Sequence, residues 1–308
     1  MTEAVLDVTR PDVSGPSSSG SHIHVLVPDR LYALHNVMDL DGRVAAYPGS
    51  ARGYAPVNCY ILKEPDGALM IDTGFTAHRA AILRQVEDLI GRDTPLTLFP
   101  LRMNEFMSLA NVMALAAHFP VDSCISVLKD AAYHVDLESL SPADIAAAAG
   151  RLKTQLIAGN EWLTVGHSDR RRVKLFQSPV RLIATRWVFD PSTHTLFTSD
   201  MFTGSWSHER EAEWVVNDKN DDMTAAAMRS FLLNTRYWWL EGAKTDSLRR
   251  SLASVFSQCD IRTIAPGYGK ILQGASVVAR HFALLDEVLL SLDQSKVRGR
   301  YVGRDEER

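Results

Sequence analysis

Cysteine is scarce in this chain. Cys59, Cys124 and Cys259 are the only three in 308 residues, and no two share a metal-ligand or redox spacing. That excludes a zinc knuckle, a Cys-x-x-Cys redox pair and a disulfide framework, and leaves reduced, buried thiols in a cytoplasmic protein as the expectation. Long apolar runs are missing too. Nothing approaches the roughly 20 residues a membrane helix needs, and residues 1–22 hold the Ser14-Gly15-Pro16-Ser17 stretch without an apolar h-region, which reads as a flexible tail and not a signal peptide. The formal net charge is only −4, and no dense Lys/Arg stripe interleaves with aromatics. The electrostatic footprint of a nucleic-acid binder is therefore missing. No internal repeat and no recognisable Ser/His/Asp arrangement is found.

What is there is a hydrophobic share of 46%, enough for one substantial core. The order of signals predicts one domain over residues 23–293, followed by a charged tail over 294–308. Asn58-Cys59-Tyr60-Ile61-Leu62, a charged turn, and Ala68-Leu69-Met70-Ile71-Asp72-Thr73-Gly74 read as a β-hairpin ending on an aspartate at a glycine turn. Helical spacing follows over 78–90, then a short strand over 96–99. Residues 104–118 repeat apolar positions at helical intervals. Ser141-Pro142-Ala143-Asp144 is a capped helix start, and the Ala-rich stretch after it predicts a helix to about residue 157. Further helices are expected over 222–239, 246–258 and 277–292. Strands are expected before Asp200 and at Ile264-Ala265-Pro266-Gly267-Tyr268-Gly269, and the Arg170-Arg171-Arg172 triplet reads as a solvated hairpin turn before a strand over 173–176. Strands in two halves with helices outside make an α/β fold, an αββα sandwich.

The order and character of these segments resemble the metallo-β-lactamase superfamily, and most of all the β-lactamase-like domain of flavodiiron proteins. The resemblance spans roughly residues 30–275, without the flavodoxin-like domain that follows in that family. It implies His-x-Glu-x-Asp-His after the second strand, Pro-x-His before another, an Asp after a Leu-Phe-Ser strand and His-Gly near the end. On those positions Glu105 and Asp200 keep a ligand type, whereas Met103, Met107, Ser108, Arg181 and Tyr268 replace ligands.

The chemistry of the replacements argues for a degenerate metal site. Thioethers bind zinc or ferric iron poorly, and a guanidinium is a permanent cation without an acceptor. A single weakly held Zn or Fe on Glu105 and Asp200 would need His208 as a third ligand. The resemblance brings Asp72, Glu105, Arg181, Asp200 and Tyr268 to one edge of the sandwich, with Arg181 expected to pair with the carboxylates or with an anion. Glu105 at a helix N-terminus is favoured as an ionised base, Tyr268 as a donor to an oxyanion, and Asp72 as a turn cap. Three functions remain open: a hydrolase- or lyase-type enzyme on a small carbonyl, ester or thioester without the usual metals, a flavodiiron-like redox protein, and a non-catalytic protein that binds an anion or a partner. Trp206, Trp214, Tyr237, Trp238 and Trp239 suit the wall of a small-molecule pocket, and equally a contact between two copies of the chain. His22 and His24 have ligand-like spacing but flank the expected tail, His35 reads as a satisfied strand residue, and His194 as an exposed turn residue.

Overall fold

The computed structural model describes residues 20–128, 143, 150 and 152–295. Two seven-stranded sheets face each other. The first contains, in spatial order, β1 (Ser21–Val27), β2 (Leu31–Leu40), β3 (Gly53–Glu64), β4 (Gly67–Ile71), β5 (Leu96–Phe99), β6 (Val121–Ser126) and β7 (Thr154–Leu156). The second is built from β8 (Trp162–Thr164), β9 (Arg172–Gln177), β10 (Arg186–Asp190), β11 (Thr195–Ser199), β12 (Val215–Val216), β13 (Thr263–Pro266) and β14 (Ile271–Gln273), in the order β12-β14-β13-β11-β10-β9-β8. Outside the first sheet lie α1 (Arg79–Ile90), α2 (Phe106–Leu109) and α3 (Val112–His118), and outside the second lie α4 (Ala225–Leu233), α5 (Asp246–Gln258) and α6 (Ala275–Leu292).

Strand alternation assigns the layers. In β2, Leu31 and Ala33 enter the inter-sheet core with Tyr60, Leu62, Phe99, Val188 and Phe197. Tyr32 and Leu34 point the other way, under α1 and α3 with Ile82, Val86 and Leu115. A third apolar layer, with Trp187, Leu252, Ile264 and Leu289, joins the second sheet to α4, α5 and α6. Each sheet is thus apolar on both faces, which is why β4 is buried along its whole length.

The predicted hairpin is β3 and β4, paired antiparallel from Tyr60 opposite Ile71 to Glu64 opposite Gly67. From β4 the sheet turns parallel through β5, β6 and β7, and β11 is parallel to β13. The C-terminal ends of β4, β5, β11 and β13 therefore open at one edge, the position at which open α/β sheets collect ligands.

Several expectations are corrected. The chain is already in β1 at Ser21, inside the segment expected as a tail, and His22 pairs with His35 of β2. The single helix over 104–118 is two, broken where the Asn111 amide donates to the carbonyls of Thr73, Gly74 and Phe75 at 2.8, 3.1 and 3.1 Å. Residues 154–156 form β7, so no helix reaches 157, and the Ser141-Pro142 helix start lies outside the described residues. The helix expected over 222–239 is shorter, Ala225–Leu233, with a 3-10 turn at Trp238–Leu240. Arg171 is not solvated: it is 1% exposed, with Asp190 at 2.5 Å and the carbonyls of Arg30 and Lys63 at 2.9 and 3.2 Å. Of the tails expected over 1–22 and 294–308, residues 1–19 and 296–308 lie outside the described residues. Among the described residues no helix is long and apolar enough to cross a membrane.

Candidate functional site

The strand ends position the site. Asp72 follows β4 in a left-handed conformation (φ 56°), as do Asn104 (φ 62°) after β5 and Ser199 (φ 56°) at the end of β11. Aspartate and asparagine accept this conformation more readily than other side-chain-bearing residues, although it still costs on the order of 1 kcal/mol. Three such positions thus lie at one edge, held there by the surrounding packing.

Asp72 is buried, and its Oδ1 accepts the Leu101 N–H at 2.8 Å. Burial pushes its pKa up to about 7, against the Leu101 hydrogen bond, the Ser108 hydroxyl and the Arg102 charge, with Glu105 adding repulsion. Ser108 is fully buried, and its Oγ accepts the Arg102 N–H at 3.3 Å, so it is no exposed nucleophile. Met103 and Met107 are floor residues. Met107 packs on the β13 turn so closely that a Cβ on Gly267 would come within 2.3 Å of its Cε and push the thioether end aside.

The centre of the site is a guanidinium. Arg102, 3% exposed, places Nη1 3.3 Å from Glu105 Oε2 and 3.2 Å from Asp200 Oδ2. Arg236 backs the same two oxygens at 3.7 and 3.6 Å. The Tyr268 hydroxyl donates to Glu105 Oε1 at 3.1 Å. Burial pushes the Asp200 carboxyl up, and Arg102 and the Tyr237 hydroxyl pull it back in part. Burial works against the Arg102 charge, but Asp200 and Glu105 outweigh it and raise its pKa. Burial, and then the neighbouring Glu105, raise the Tyr268 phenol well above its ordinary range. Of the two carboxylates Glu105 is the more open, with 20% of its side chain exposed against 4% for Asp200.

Three-dimensional pairing thus brings together Asp72, Glu105, Asp200 and Tyr268 but not Arg181. Arg181 is turned away, with Nη1 on the Ser178 carbonyl at 2.7 Å, in a hollow against α5. Its expected place is taken by Arg102 and Arg236, neither of which was picked out from the sequence. Arg102 carried a readable signal, a cation three residues before Glu105 at a strand end. Arg236 carried none, because its approach depends on how the turn after α4 folds back. The expected helix dipole at Glu105 is negligible, since α2 has four residues. His208 lines a separate recess of about 380 Å³ with Arg52, Trp206 and Phe231. Trp206 meets Tyr47 edge-on at 5.8 Å, and Tyr47 meets Tyr268 at 6.5 Å, so aromatics separate that recess from the charged cluster. Trp214 and Tyr237 are buried, while Trp238 is exposed.

No family model matches the chain, and no curated protein matches it in sequence. Solved structures do. Rubredoxin oxygen:oxidoreductase of Desulfovibrio gigas superposes with a TM-score of 0.61 at 16% identity, over 87% of this chain and 61% of that one. The flavodiiron protein of Giardia intestinalis gives 0.61 at 13% identity, over 88% and 60%. A fragment of a diflavin flavoprotein from Nostoc sp. PCC 7120 gives 0.56 at 14% identity, over 88% of this chain and 97% of the fragment. The fold is that of the metallo-β-lactamases.

A metal centre at the edge of this metallo-β-lactamase-type sandwich is poorly matched by the residues present. Among the described residues no three His, Cys, Asp or Glu side chains come together to hold an ion, so the set Glu105, Asp200 and His208 is not assembled. A dication on the Glu105 and Asp200 oxygens that face Arg102 would lie within about 5.5 Å of its Nη1. Repulsion at that distance is on the order of 6 kcal/mol for an effective dielectric constant near 20.

Proposed function

We propose that this metallo-β-lactamase-type sandwich is metal-independent and works as a binding protein, its former catalytic edge closed by the network of Arg102, Arg236, Glu105 and Asp200. The observation that carries this reading is the Arg102 guanidinium, buried between the two carboxylates where a cation is required. Two arginines against two carboxylates leave the cluster neutral. Tyr268, at 0% exposure, spends its proton on Glu105 and does not reach solvent. Such a network holds strand ends together, because removing one partner strands the others as uncompensated buried charges.

Arg102→Met is therefore expected to destabilise the fold by about 3–5 kcal/mol in urea unfolding, and Arg102→Met with Asp200→Asn, which leaves Arg236 opposite Glu105, to recover most of the loss. Protein expressed with added zinc and iron and measured by plasma mass spectrometry is expected to hold well under one metal per chain. Near-stoichiometric metal in the unmodified protein would defeat the reading and revive flavodiiron-like redox chemistry.

The partial exposure of Glu105 favours a second reading, a metal-free hydrolase or lyase on a small carbonyl, ester or thioester. In it Glu105 is the base, and Arg236 holds the developing anion. A turnover of such substrates that Glu105→Gln abolishes, with unfolding unchanged, would establish it over the first.

A further inference from the structure

Away from the carboxylate edge, a hollow of about 710 Å³ lies between β9, the loop carrying Ser178, Pro179 and Arg181, and the flank of α5 from Ser247 to Gln258. Its volume is that of a small-molecule site. Three cations line it, Lys174, Arg181 and Arg250, and no lining residue is acidic. Two of them are held in place by neutral acceptors. Lys174 Nζ donates to Gln258 Oε1 at 3.0 Å, and Arg181 to the Ser178 carbonyl at 2.7 Å. The exception is Arg250, which makes an exposed pair with Asp246 one helical turn back.

A fourth cation, Arg186, stands beside Arg181. Burial above all, and the Arg181 charge after it, push the Arg186 pKa down, with Glu161 opposing, although Arg186 itself does not line the hollow. The Arg186 Nε is buried without a hydrogen-bond partner. Serine hydroxyls at Ser247 and Ser254 belong to the wall that α5 contributes, which runs along the helix from Ser247 to Gln258. Phe176, with Lys174 Nζ 4.8 Å above its ring, Leu248 and Val255 supply an apolar strip.

We propose that this hollow binds a phosphorylated small molecule, its phosphate held by Lys174, Arg181 and Arg250 and its organic part laid against Phe176, Leu248 and Val255. Guanidinium and ammonium groups set around hydroxyl donors match a tetrahedral oxyanion better than a single carboxylate, and the apolar strip asks for more than inorganic phosphate. A nucleic-acid backbone fits less well, since the net charge is −4 and the positive residues are gathered in a concavity instead of along a stripe. The inference goes beyond the reading of the edge network and stands whichever way that network acts.

The test is calorimetric titration of the full chain with inorganic pyrophosphate at constant ionic strength. Saturable binding is expected, weakened about tenfold or more by Lys174→Gln and by Arg181→Gln, the loss for one charge-assisted hydrogen bond. Arg250→Gln, at an exposed helix position, is expected to weaken it as well, and Arg43→Gln and Glu105→Gln to leave it unchanged. Circular dichroism on each variant separates lost binding from lost fold. Absence of saturable binding, affinity in Lys174→Gln and Arg250→Gln unchanged from the unmodified protein, or loss in Glu105→Gln would overturn the proposal. So would tighter binding of a short single-stranded oligonucleotide than of pyrophosphate.

Discussion

Arg102 shows how one residue can change what a fold edge does. A guanidinium between two carboxylates supplies positive charge that cannot dissociate, be chelated or be exchanged. Asp72 is the complementary case, a carboxyl buried near that cation but hydrogen-bonded on one oxygen only. With its folded pKa raised to about 7 from an ordinary 3.8, the folded state holds a proton that the unfolded state releases. Stability from this residue therefore falls as pH rises from about 4 and levels off above about 7. Asp72→Asn keeps the acceptor for Leu101 and removes the charge. Its unfolding free energy relative to the unmodified protein should improve by about 2–3 kcal/mol between pH 5 and pH 8. A difference independent of pH would show that Asp72 is already charged at no cost. The positions of Asp72, Asp200 and Tyr268 were legible because each follows a strand marked by local turn chemistry, whereas Glu105, at the start of α2, was placed by the family resemblance. Arg181 misled, because the loop after Ser178 carries it away from the edge by a path that no local pattern encodes.

Among the elements, the break between α2 and α3 matters most for the site. Apolar spacing over 104–118 is continuous, and periodicity alone yields one helix. The competing demand comes from the loop after β4, whose three carbonyls turn toward α3 and need donors there. Asn111 meets all three, and its Oδ1 accepts from Arg79 Nε at 2.9 Å, tying the loop to α1 as well. Thr73 adds a hydroxyl donated to the Ser108 carbonyl at 2.9 Å. Asn111→Ala should cost about 2–4 kcal/mol in urea unfolding, since it leaves several buried carbonyls and one guanidinium nitrogen without their partner. A cost under about 0.5 kcal/mol would mean that the loop finds other donors. The Arg171 ion pair teaches the same lesson. A basic triplet looks solvated until a buried aspartate from another strand, here Asp190, draws its middle member in.

At the scale of the whole molecule, three apolar layers and two sheets bury histidines along with the strands that carry them. His35 is fully buried on β2, with Nδ1 2.7 Å from Asn58 Oδ1 and the rings of His22 and His24 at 5.0 and 5.7 Å. Burial, opposed by the Asn58 hydrogen bond and reinforced by His22 and His24, brings its pKa down to about 3. The folded state thus refuses a proton that the unfolded state accepts below about pH 6.5, so stability is lost as pH falls from there toward 3. Between pH 7 and pH 4.5 the unmodified protein should lose about 2–3 kcal/mol more than His35→Gln in denaturant titrations. Parallel loss in the two proteins would place the acid sensitivity elsewhere. The sandwich itself was legible at this scale. Alternating and continuous apolar strands, glycine turns after aspartates and helical spacing between them are local patterns, and their order admits few packings.

The amino-acid sequence by itself determined the layers, the strand ends beside which Asp72, Asp200 and Tyr268 stand, and that no histidine or cysteine occupies positions 103, 105, 107, 108, 181, 200 or 268. These are properties of side-chain type and short-range spacing. Only the tertiary structure decided which cation lies between the carboxylates and where the remaining positive charge collects. Arg102, Arg236, Asp200 and Tyr268 are far apart in the chain, and ion pairing depends on distances of a few ångströms that only the packed sheets and helices set.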